Sequence, residues 1–158
     1  MNFLNDIIHS NIGWFHFILA VLAMLTGTMV LLNKKGTLFH KRSGYIYVFS
    51  MLLINISSFF IINFDGFSIF HFFAIMSLAT IIGGTLPTIK KKKNWFGYHF
   101  YFMSWSVVGL YCAFWSEIGT RFVNNMQQFW WVIVLATLFT VFFGGKIINR
   151  EAKKINLR

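Results

Sequence analysis

Charge is scarce in this chain, and negative charge scarcer still. Asp and Glu together occur four times in 158 residues, and charged residues of both signs make up 11%, against about 25% in a soluble domain. A soluble fold is therefore excluded, and lipid must cover part of the apolar surface. There is one cysteine, so neither an internal disulfide nor a Cys-based metal cluster can form. That residue, Cys112, lies in an apolar stretch and reads as packing. An HExxH zinc motif, a Gly-rich phosphate loop and a Ser–His–acid order are also missing, so no catalytic residue is assigned. Met1 to Asn11 hold no Lys or Arg, which removes the basic start of a cleaved signal peptide; the first helix is expected to be retained.

What the chain has in excess is apolar and aromatic residues, 57% and 20% of the whole, with 21 Phe. About 20 apolar residues carry a helix through the hydrocarbon. Five stretches meet that length, at about 13–32, 44–63, 67–87, 95–115 and 129–148. The expected fold is all-α, an integral membrane bundle of five transmembrane helices forming one domain over 1–158.

The basic residues sort by side. Lys34, Lys35, Lys41 and Arg42, then Lys90 to Lys93, then Lys146, Arg150, Lys153, Lys154 and Arg158 fall on one side; Arg121 alone falls on the other. Basic loops stay in the cytoplasm, so the N-terminus is expected outside and the C-terminus inside the cytoplasmic membrane. Asp6, Asp65 and Glu117, three of the four acids, lie on the outer side. Trp14, Trp115, Trp130 and Trp131 fall at outer ends and Trp95, Tyr45 and Tyr98 at inner ends, where amphipathic rings belong. Trp105 is mid-membrane and reads as packing. The net charge of +10 sits in short runs between apolar stretches, and the Lys90 to Lys93 run reads as a topology signal that also touches anionic headgroups. No nucleic-acid-binding fold surrounds it, and nucleic acid is not an expected partner.

Five histidines occur. His9 precedes the first span and reads as solvated. His16 and His71 each lie about one turn inside an outer end. His40 and His99 lie at inner ends, His40 on the second helix if that helix starts near Thr37. A repeat supports the pairing. His16-Phe17, Gly27-Thr28, Lys34-Lys35 and Leu38-Phe39-His40 are echoed by His71-Phe72, Gly83-Gly84, Lys90 to Lys93 and Tyr98-His99. A tandem duplication of two helices would bring equivalent histidines together at equal depth. Gly83, Gly84 and Pro87 read as a bend and stop of the third helix.

Ionisable groups inside a membrane are costly and are functional candidates; the plainer alternative is that each His glues two helices. Two facing imidazoles are what a six-coordinate haem needs. One haem b per leaflet, on His16/His71 and His40/His99, would move electrons across the bilayer. Gly13, Ala20, Ala23 and Gly27 would leave room for a macrocycle or equally let helices approach closely. Lys41 and Arg42 could pair with haem propionates. Zinc is the rival, held by His9, His16, His71, Asp65 or Glu117 in a membrane hydrolase or metal-handling protein. A third reading is a non-enzymatic subunit with structural histidines. Expected partners are the lipid bilayer and a redox partner or fellow subunits, an oligomer of the chain included. The fifth span, outside the repeat, is left to face lipid or a partner.

Two resemblances bear on these readings. His16 on the first span, Gly36 to Gly44 with His40-Lys41-Arg42 inside, His71 before an apolar run, and His99 followed by Met103 resemble an uncharacterised bacterial family of small multi-pass membrane proteins. That family is a domain of unknown function, and the likeness covers about 13–115. The four-histidine, two-leaflet layout is similar to the ascorbate-reducible transmembrane cytochromes b. It implies haem b on His16 with His71 and on His40 with His99. The chain departs from that layout in having five spans, not six, and in holding His40 near the membrane edge.

Overall fold

The structure is a computed structural model that describes residues 10–61, 66–91 and 93–156. His9, Asp6, Asp65, Lys92 and Arg158 lie outside the described residues, and with them the solvated reading of His9.

Five helices and no strand occur among the described residues: α1 (Asn11–Leu32), α2 (Leu38–Ser58), α3 (Ile69–Ile89), α4 (Trp95–Thr120) and α5 (Met126–Lys154). Their starts are set by short polar side chains that satisfy otherwise orphaned backbone N–H groups. Ser10 accepts from the Gly13 N–H, Thr37 from His40 and Asn125 from Gln128, at 3.0, 3.1 and 2.8 Å. The Thr37 cap places the start of α2 six residues before the apolar stretch does and takes His40 into its first turn. At the end of α1 the Lys35 ammonium turns back on the last free carbonyls, donating to Val30, Leu31 and Asn33. Gly36, at φ +80°, lets the chain reverse there, a backbone region costly for residues with a Cβ.

All five helices are long enough to cross a hydrocarbon layer of about 30 Å at 1.5 Å per residue. Three of them, α1, α3 and α5, are both long and apolar enough to span a membrane. In their most apolar windows only 22% to 33% of residues are buried within the molecule, so most of that surface needs an apolar surrounding. The polar residues of α2 and α4 turn inward. Ser43, Ser50, Asn55 and Ser57 on α2 and Ser104, Ser106, Ser116 and Thr120 on α4 are buried.

The main packing pairs are α1 with α2, α3 with α4 and α4 with α5; smaller contacts of α2 with α3 and α1 with α4 close a four-helix ring, with α5 outside it on α4. Buried hydroxyls tie the ring together. The Tyr47 hydroxyl meets Ser106 Oγ at 2.8 Å, and Thr28 meets Tyr111 at 2.8 Å. The core between them holds Ala20, Ala23, Met51, Ile81 and Val107.

The glycines serve close approach. A Cβ on Gly27 would come within 2.8 Å of the Tyr47 ring, and one on Gly84 within 2.7 Å of Met103 Sδ. Ala20, Ala23 and Gly27 therefore make helix contact and do not line a cofactor space, which decides between the two readings of that stripe. Pro87 does not stop α3, which continues to Ile89. A proline in a last turn lacks only the bond to the carbonyl four residues back, and that loss is tolerated more easily near a helix end.

Candidate functional site

The bundle has two ends, and two histidines gather at each. His16 in α1 and His71 in α3 line one cavity of about 600 Å³, within the roughly 300–1,000 Å³ typical of cofactor and small-ligand sites. Its wall also includes Trp105, Gly109, Glu117 and Arg121 of α4. A Cβ on Gly109 would meet nothing within 4 Å, so this is where absent side chains leave space. The small residues that shape the cavity are Ala74 and Ser77 of α3 and Gly109 and Ala113 of α4, not those around His16.

The two rings at this end are held in opposite tautomers. His16 Nδ1 lies 2.9 Å from Ser57 Oγ. Ser57 spends its own proton on the Ile54 carbonyl at 3.0 Å, so its oxygen accepts and His16 Nδ1 donates. The Nε2 lone pair of His16 remains. His71 is the third residue of α3, and its Nδ1 accepts from the Ser68 backbone N–H at 3.0 Å and the Ser68 hydroxyl at 3.0 Å. A capping box of this kind uses the ring in place of the usual Glu. The neutral His71 ring then carries its proton on Nε2. Between the two rings the cavity has one nitrogen acceptor and one N–H donor. Glu117 pairs with Arg121 at 2.7 Å across one helical turn.

At the other end the rings of His40 and His99 are 6.4 Å apart between centroids, with planes at 75°. His99 Nδ1 donates to the Gly84 carbonyl at 2.9 Å, leaving Nε2 as acceptor. His40 Nδ1 is buried without a hydrogen-bond partner. The space both rings line is about 30 Å³, room for a single water-sized group. Lys35 lines it as well, and burial pushes that ammonium down from its ordinary value, opposed by the Glu151 carboxylate. Arg42 and Lys41 are exposed and do not line the space, so the cation beside the rings is Lys35.

His16 with His71 and His40 with His99 are thus brought together as pairs. The partners that fix the rings, Ser57, Ser68 and the Gly84 carbonyl, carry no motif; only the T-x-x-H and S-x-x-H spacing of Thr37–His40 and Ser68–His71 marks a capped start. Among the described residues no three His, Cys, Asp or Glu gather closely enough to hold a metal ion. Cys112 is buried and donates to Thr140 Oγ1 of α5 at 2.6 Å, a packing role.

A family model described as "Predicted membrane protein (DUF2306)" matches residues 13–146. No curated protein matches, and no solved structure does.

Proposed function

The chain belongs to the DUF2306 family of predicted membrane proteins, a domain of unknown function, and from that premise we propose that it is a small b-type cytochrome-like protein. In this reading it crosses the cytoplasmic membrane five times, with the His16 end outside and the His40 end inside. It holds haem b in the cavity at the His16 end and takes part in moving electrons across the membrane. The observation that carries the reading is the His16 ring: anchored through Nδ1 on Ser57, it offers Nε2 from the wall of a cavity of about 600 Å³. A hydrogen bond from the other ring nitrogen is usual for metal-bound His.

His16 would be the iron ligand and His71 the second. For His71 to ligate through Nε2, its ring proton would move to Nδ1 and be donated to Ser68 Oγ, leaving the Ser68 N–H without its acceptor. Arg121, and not Arg42, is the cation at this cavity and would face the carboxylates of the bound group. Trp105 of α4 and Phe70, Phe72 and Phe73 of α3 line the cavity with apolar rings. Bound there, haem supplies a one-electron iron couple whose potential depends on ligands and burial. The second haem expected on His40 and His99 does not fit: about 30 Å³ cannot take a macrocycle, and none is proposed at that end.

The test is a reduced-minus-oxidised spectrum of the detergent-purified protein from haem-replete cells. A Soret and an α band that His16→Ala removes are expected. A preparation without a Soret band overturns the reading.

A further inference from the structure

The rings that cannot take a macrocycle still present two unengaged nitrogens to one small space. We propose that His40 and His99 bind a single copper(I) ion, with the Met103 thioether as a third ligand. The site stands apart from the haem cavity and does not depend on it.

The nitrogens come first. His99 holds its proton on Nδ1, donated to the Gly84 carbonyl at 2.9 Å, so Nε2 is free to ligate. His40 Nδ1 is buried with no partner, so it too is unengaged. His99 thus has one nitrogen on a backbone carbonyl and the other unengaged, the arrangement usual around metal-bound His. A buried nitrogen without a partner calls for an explanation, and an ion supplies one.

The separation selects the geometry. A metal–nitrogen bond of about 2.0–2.1 Å, with the nitrogen about 1.1 Å from its ring centroid, puts two imidazoles facing across one ion roughly 6.3 Å apart, whereas a tetrahedral angle brings them to about 5 Å. The observed 6.4 Å leaves room for one ion between the rings at an angle wider than the tetrahedral one of zinc, as suits copper(I) on two nitrogens with a weaker third donor.

Donor type and charge point the same way. Met103 lines the same space, packed on Gly84, whose carbonyl orients His99; thioether sulfur is a soft donor that selects copper(I). No carboxylate lines the space, and the Lys35 ammonium does. A divalent ion there meets twice the repulsion from that ammonium that a monovalent one does, and the Glu151 carboxylate that acts on Lys35 is not among the residues lining the space.

The experiment uses full-length protein, purified in detergent with an affinity tag that contains no histidine. Anaerobic titration with copper(I) against a chromogenic chelator should show one equivalent retained. X-ray absorption should report two short nitrogen scatterers and one sulfur, the sulfur lost in Met103→Leu. His99→Gln, whose amide can still donate to the Gly84 carbonyl, should weaken binding by at least roughly tenfold, while His16→Ala leaves it unchanged. Gel filtration and the His16-dependent Soret band report that His99→Gln is folded. The proposal is overturned by no copper retained against the chelator, by His99→Gln binding as tightly as the parent, by zinc retained equally well, or by loss of a haem in His99→Gln. Copper without haem would sink only the cytochrome reading, and haem without copper only this one.

Discussion

Ser57 accepts a hydrogen bond from His16 while donating one to the Ile54 carbonyl, and half of the cavity's asymmetry follows from that arrangement. His16 offers a lone pair, whereas His71 offers a proton because its other nitrogen caps α3. Two outcomes are expected at this scale. Ser57→Ala frees the His16 ring to rotate and to change tautomer, and haem retention should fall by about 10- to 100-fold, the usual cost of losing such an anchor. Retention is read by gel filtration followed by haem extraction; an unchanged value would show that Ser57 does not orient the ligand. His71→Ala should leave haem bound but convert it to a high-spin, five-coordinate form, since His71 must give up its cap to ligate. His16→Ala should remove the haem altogether. Electron paramagnetic resonance distinguishes the two, and the reverse asymmetry would refute the tautomer assignment.

At the scale of helices, α5 is the outlier: it rests on α4 and lies outside the four-helix ring. Its seam with α4 depends on two glycines. A Cβ on Gly119 would come within 2.6 Å of Val132, and Gly144 is pressed against Val108. Gly144→Leu should push the helices apart and cost about 1–3 kcal/mol, as overpacking generally does, with a lower thermal midpoint and an unchanged haem spectrum. A lost spectrum would mean that α5 is part of the cavity's support. The sequence made the helices themselves legible, because an apolar run of this length has few other solutions. It also made legible which histidines share an end of the bundle, since that follows from position along a helix. Rotation and register do not. Whether Gly27 makes room or makes contact depends on which way α1 faces, and only Tyr47 and Val107 beside it decide that. The cavity wall of Ala74, Ser77, Gly109 and Ala113 was hidden for the same reason. The apolar stretch alone put the start of α2 six residues late, and the earlier start offered near Thr37 is the one found, because a polar cap and not hydropathy sets it.

For the molecule as a whole, the proposed five crossings follow from pairing. α1 is apolar enough to cross on its own. Ser57, at the far end of α2, touches His16 near the start of α1, and the two helices are joined at their other ends by 33–37. If α1 crosses, α2 crosses back. The same holds for α3 and α4: Gly84 near the end of α3 bonds His99 near the start of α4, and His71 and Glu117 line one cavity at the other end. The polar residues of α2 and α4 lower their hydropathy, but many are buried, and Asn55, Ser57 and Ser106 bond side chains of neighbouring helices, as polar groups in membranes do. In the proposed topology five crossings put the two termini on opposite sides, and the charge sorting expected from the sequence, thirteen basic residues against one, would put the His40 end in the cytoplasm. An alkaline phosphatase fused after Asn124 should therefore be active, and one fused after Asn156 inactive, with a fluorescent reporter giving the mirror result. Replacing Lys90 to Lys93 by Ala should leave that outcome in place, because nine basic residues remain inside against one. Phosphatase activity at Asn156 would invert the orientation and move the haem cavity to the inner leaflet, with the copper site outside. Activity at neither site would break the five-span pairing itself.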